Sequence, residues 1–149
     1  MGNPLTACEH VRQGLALSNP EEHRAHAFLD GGHDTGVCGK GQGGLSLWLL
    51  GYPDQAEQSA REAVLLAEDL GHAPSLAHAL FWNALCHHFR QDGPAAWECS
   101  ERLIALANRK KLALYRAGGM IVRSWTRAGR GEWREGIWEL RERCTLTLR

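Results

Sequence analysis

Along most of this chain the apolar residues recur three and four positions apart, the spacing that gathers them on one face of an α-helix. No segment alternates apolar and polar residues as a half-buried strand does. Punctuation falls between the helical stretches. Asn19-Pro20-Glu21-Glu22 starts a short helix, with proline in the first turn and acids at its positive end. Gly31-Gly32 stops that helix, and Asp34 is placed to cap the next one. The pattern predicts helices at about 4–18, 20–29, 35–50, 54–71, 75–91, 94–108, 112–129 and 132–146.

Three segments align without gaps: LWLLGYPDQAEQSAREAVLLA at 47–67, HHFRQDGPAAWECSERLIALA at 87–107 and RAGRGEWREGIWELRERCTLT at 127–147. Each holds a helix end, a turn and a second helix. A small residue stands early in the second helix at Ala56, Ala96 and Gly136, at intervals of 40 residues. Another recurs at the same interval in the first helix, at Gly44, Ala84 and Ser124. Where antiparallel helices cross closely, a large side chain would hold the backbones apart. One helix pair cannot bury its apolar face alone, so pairs stack and share a core.

The expected fold is therefore all-α, an α-α superhelix (solenoid) of antiparallel helix pairs with a 40-residue period. Residues 1–149 form one domain, with a half-repeat at about 4–18, a short helix and loop at 19–34, and repeats at about 35–73, 74–111 and 112–149. Ala7, Val11 and Gly14 take the spacings of Ala56, Ala60 and Ala63, so the first helix reads as the second member of a pair. At the other end Thr145-Leu146-Thr147-Leu148 reads as a fading helix. The array is expected to begin and end in mid-pair.

The run HDTGVCGKGQGGLSLWLLGYPDQAEQSAREAVLLAEDLGHAPSLAHAL, with IVRSWTRAGRGEWREGI further on, resembles the C-terminal tetratricopeptide (TPR) region of large bacterial regulators. In those proteins a class III adenylate or guanylate cyclase domain, or another output domain, precedes an AAA-type ATPase domain and then the repeats. The resemblance spans about Ala7 to Arg141, and Leu47 to Ala56 is its most specific part. It implies an interaction or sensing region that regulates an enzyme carried elsewhere. No cyclase or ATPase motif occurs here, so it implies no activity for this chain. The chain departs from the pattern at Lys40 and Gly41, where more apolar helix formers are expected.

Composition narrows the picture by exclusion. A hydrophobic fraction of 44% and a charged fraction of 23% are ordinary for a globular protein. No stretch approaches the roughly 20 apolar residues of a membrane helix, and the start lacks the layout of a secretion signal. Met1-Gly2 with Thr6 fits the loose myristoylation pattern, but neither a polybasic patch nor a second lipid signal accompanies it. A cytoplasmic location is expected, with no membrane partner. The five cysteines, Cys8, Cys38, Cys86, Cys99 and Cys144, are widely spaced and read as reduced thiols. Net charge is zero but divided: residues 1–107 carry 6 Lys/Arg against 13 Asp/Glu, and residues 108–149 carry 11 against 4. Solvated helix faces explain most of this, and without a recognition motif nucleic acid is not an expected partner.

Candidate chemistry is sparse. Gly39-Lys40-Gly41-Gln42-Gly43-Gly44 satisfies G-x-G-x-x-G, yet no strand precedes it, and tight helix crossing accounts for its glycines. His23, His26 and His33, with Asp34 and Cys38, could gather around a loop, and His87-His88 follow Cys86. Neither group has the spacing of a zinc ribbon or a zincin, and neighbouring helical histidines point about 100° apart. Cys38 or Cys86 has no patterned base or oxyanion hole. No catalytic residue, metal or cofactor is expected.

The inner face of the first helices is the candidate site. If the superhelix forms, Leu45, Trp48, Phe81, Leu85, His88, Ile121 and Trp125 project there, with Leu45, Leu85 and Trp125 in one row, although any one of them could instead pack between helices. Such a groove suits a protein or peptide segment anchored on aromatic side chains. Open ends of the array also favour homo-oligomers. The expected function is a non-catalytic interaction scaffold. A helical sensor of a small molecule is the alternative, and a metal-dependent enzyme a distant third.

Overall fold

The computed structural model describes residues 2–19, 26–29 and 32–145, with the side chains of His26, Leu29 and residues 142–145 outside the description. His23 and most of the helix expected at about 20–29 fall outside it, as do residues 146–148 of the expected fading end. Among the described residues the chain is all-helical, without a strand. The helices are α1 (Pro4–Leu17), α2 (His26–Leu29), α3 (Thr35–Leu49), α4 (Pro53–Leu70), α5 (Ala73–Phe89), α6 (Gly93–Lys110), α7 (Ala113–Gly129) and α8 (Trp133–Thr145). None of them is long and apolar enough to cross a membrane.

The ends of these helices follow from single residues. The Asn3 side chain accepts from Leu5 N–H, and Asp34 Oδ1 accepts from Val37 N–H at 2.9 Å. Asp92 does the same for Ala95 N–H, while Pro53, Pro74 and Pro94 occupy first turns. Tight turns follow α3, α5 and α7. In each, a residue of positive φ (Gly51, Gln91, Gly131) is followed by one whose N–H returns to a carbonyl five residues back. Those bonds are Tyr52 to Leu47, Asp92 to His87 and Glu132 to Arg127, at 2.9–3.1 Å. Gly71 and Lys111, also left-handed, end α4 and α6.

Consecutive helices from α3 to α8 pack as antiparallel neighbours, and α3 also touches α5, as α5 touches α7. The crossings fall at the small residues. A Cβ on Gly44 would lie 3.0 Å from the Ala56 carbonyl oxygen, and one on Gly136 only 2.7 Å from that of Ser124. Ala56, Ala84 and Ala96 are completely buried. The largest cluster of buried side chains joins Val37, Val64, Leu70, Leu80, Leu103 and Leu106 across α3 to α6. Removing one such leucine side chain costs about 2–5 kcal/mol.

Two expectations need correction. Gly14 takes the spacing of Ala63, which is completely buried, yet Gly14 is exposed and a Cβ there would meet nothing within 4 Å. The close approach between α1 and α3 uses the reverse arrangement: Leu15 and Val11 of α1 press on Gly39 and Gly43 of α3. The departure at Lys40 and Gly41 also has a physical reason. Lys40 Nζ pairs with Glu62 at 2.5 Å, and a Cβ on Gly41 would come 3.1 Å from the Trp82 ring.

Candidate binding groove

Glycines set the spacing of α3, α5 and α7. Trp82 of α5 leans onto Gly41 of α3, and Phe81 leans onto Gly118 of α7, where a Cβ would come 3.0 Å from its ring. The two rings meet edge to face at 5.5 Å. Between α5 and α7 lies an apolar cavity of about 590 Å³ whose walls include Phe81, Leu85, Ile121 and Trp125. A second cavity of about 700 Å³ adjoins it at Trp125, with His88, Phe89 and Arg130 in its wall.

The structure thus brings together four of the seven residues expected in the groove. His88 lies beside them, its ring 5.4 Å from that of Trp125. Leu45 and Trp48 line a crevice of only about 10 Å³, and Trp48 packs against Ala56, Ala60 and Cys86. Both are half-buried and pack between helices there, outside the larger cavity. Trp48 also stacks on Phe89 at 6.2 Å.

The groove has one polar end, formed where α5 and α7 begin by His33, His78 and Tyr115. Trp82 Nε1 donates to His78 Nε2 at 3.0 Å. An indole can only donate, so the neutral His78 ring carries its proton on Nδ1 and donates it to Tyr115 Oη at 3.2 Å. The Tyr115 hydroxyl is then free to donate to His33 Nε2. Behind this chain the Ser75 hydroxyl accepts from Asp34 N–H at 2.9 Å and meets His72 Nδ1 at 2.8 Å.

Burial sets the charge state of this end. Burial, with the nearby His33 charge, lowers His78 to about 4, and burial followed by His72 lowers His33. Burial, then Cys38, pushes Tyr115 up to about 12. Burial, then Asp34, raises the Cys38 thiol, and burial alone lowers His88. This end of the groove therefore offers neutral donors and acceptors at neutral pH. Cys38 is the reverse of an activated nucleophile.

His78 and Tyr115 were missed by the sequence reading, although a signal was present. Cys38 and His78 are 40 residues apart, and so are Ser75 and Tyr115, so each pair occupies one row of the repeat. His33, Cys38 and His78 hold ligating atoms within 4.8 Å of one another. Among the cysteines described, Cys8, Cys38, Cys86 and Cys99 are free thiols.

Comparison with known proteins gives one informative relative. The chain is 30% identical over 130 residues to an uncharacterized protein of Rhizobium meliloti (strain 1021). The match covers 87% of this chain but 13% of that protein, so the chain spans a small part of the relative's length. No family model matches the chain, and no solved structure matches it significantly.

Proposed function

We propose that this chain is a tetratricopeptide-like repeat module, part of a bacterial signalling regulator, that holds a segment of a protein partner between α5 and α7 without catalysing a reaction. The observation that carries the reading is the pair of adjoining cavities, about 590 and 700 Å³, sharing Trp125. Together they exceed the roughly 300–1,000 Å³ of a typical small-molecule site, and Trp125, shared by both, is 42% exposed. An amphipathic helix laid there would place apolar anchors one turn apart.

The repeat supports this reading. Left-handed residues stand at 51, 91 and 131, and again at 71 and 111, each set at 40-residue intervals. The long bacterial relative accords with a module inside a larger protein. On α8, Trp133, Ile137 and Trp138 are 44–59% exposed, a surface suited to further chain or to a second copy. A second reading, a small-molecule sensor, draws on the polar end of the first cavity, where His78 and Tyr115 could fix a ligand's orientation.

Selection from a displayed library of helical peptides tests the proposal. The intact chain should enrich sequences with apolar residues at i, i+3 or i+4, and i+7, and a Phe81→Ala, Ile121→Ala variant should not. Equal enrichment by a folded variant contradicts it. A small-molecule thermal-shift hit with no peptide enrichment supports the sensor, since ligand at about 100 times its Kd adds about 2.7 kcal/mol.

A further inference from the structure

Histidine and cysteine together at one place suit zinc and its neighbours among the transition metals, which favour imidazole and thiolate donors. His33, Cys38 and His78 come from a loop, the first turn of α3 and the first turns of α5. Their ligating atoms lie within 4.8 Å of one another. We propose that these three side chains bind one zinc-class ion, its fourth coordination position facing the groove that His33 and His78 line.

A tetrahedral zinc centre holds nitrogen and sulfur donors about 3.3–3.6 Å apart. The three groups must therefore draw in by about an ångström. His33 supplies that movement. It lies outside the helices, and its ring stacks on His78 at 4.4 Å with 25° between the planes. Stacked rings aim their lone pairs side by side, so loading turns His33 out of the stack. Cys38 and His78 stay fixed, Cys38 behind the Asp34 cap and His78 on α5.

Both nitrogens of His78 already have partners, so the ion replaces one. Binding through Nε2 displaces the Trp82 N–H and keeps Nδ1–H donating to Tyr115 Oη. An outward hydrogen bond of this kind orients most metal-bound imidazoles. Cys38 binds as thiolate and releases its proton to solvent. His87 and His88 make no such site, since His87 faces Asp92 at 3.6 Å and His88 faces Trp125. Local spacing hid the cluster because Cys38 and His78 belong to successive helix pairs.

The test is titration of the reduced, chelator-stripped full chain with Co²⁺, followed by displacement with Zn²⁺. One equivalent should bind with a thiolate-to-cobalt charge-transfer band and the visible bands of tetrahedral coordination. Cys38→Ser should lose the charge-transfer band and bind about 10–100-fold more weakly, while Cys99→Ser keeps both. His33→Ala, altered outside every helix, should weaken binding likewise. Absence of stoichiometric uptake overturns the assignment. So does a band that survives Cys38→Ser, or unchanged affinity in both Cys38→Ser and His33→Ala. No outcome depends on a groove partner.

Discussion

At the scale of single residues, the recurrent small side chains work as spacers, and the atom each one faces decides what a larger side chain would cost. A methyl group at Gly44 would meet a backbone oxygen at 3.0 Å, and a carbonyl in a packed helix cannot step aside. Gly44→Ala should destabilise the chain by about 1–3 kcal/mol, although alanine favours helices. Gly14 sits in a helix with nothing within 4 Å, so Gly14→Ala should stabilise by about 0.5–1 kcal/mol. Urea midpoints of the two variants read both signs. The small residues at 44, 56 and 136 could be found from sequence because their partners recur at the same interval. Gly39, Gly41 and Gly43 could not be explained that way. Their partners, Leu15, Trp82 and Val11, lie outside that interval, and only the packed structure shows that each is filled.

Among the elements, the helices themselves were readable because prolines, glycines and capping aspartates punctuate them. How they are tied together was less so. Arg123 of α7 reaches Glu101 of α6 at 2.6 Å and also pairs with Glu139 of α8, which is only 3% exposed. One guanidinium therefore joins three consecutive helices. Removing one partner of a buried pair strands the other charge away from water, at a cost of about 3 kcal/mol or more. Arg123→Ala, which leaves the buried Glu139 carboxylate only Ser124 Oγ at 3.3 Å and Arg127 at 3.9 Å, should show that loss in chemical denaturation, whereas Arg102→Ala, which breaks a half-exposed pair with Glu68, should change stability by less than about 1 kcal/mol. Equal effects would show that the clasp is not what holds α8.

Over the whole molecule, the groove was half visible in advance. A 40-residue interval placed Leu85 and Trp125 in one row, and the structure sets both in the wall of the cavity. The same row carried Leu45, which the structure leaves half-buried beside the contact where Trp82 leans onto Gly41. Periodicity reports which face a residue takes but not whether a neighbouring ring fills the space above it. The polar end was legible only in part: the 40-residue interval pairs Cys38 with His78 and Ser75 with Tyr115, but it does not bring in His33, which lies outside the helices.

The groove account is tested most directly by comparing two exposed tryptophans. Trp125 lines both cavities at 42% exposure, whereas Trp138 on α8 lines neither and is 59% exposed. A peptide selected by the intact chain should bind Trp125→Ala at least about 30-fold more weakly, a loss of about 2 kcal/mol typical of an anchor residue. It should bind Trp138→Ala with unchanged Kd. Unchanged affinity in a folded Trp125→Ala, or a loss confined to Trp138→Ala, would place the binding surface elsewhere.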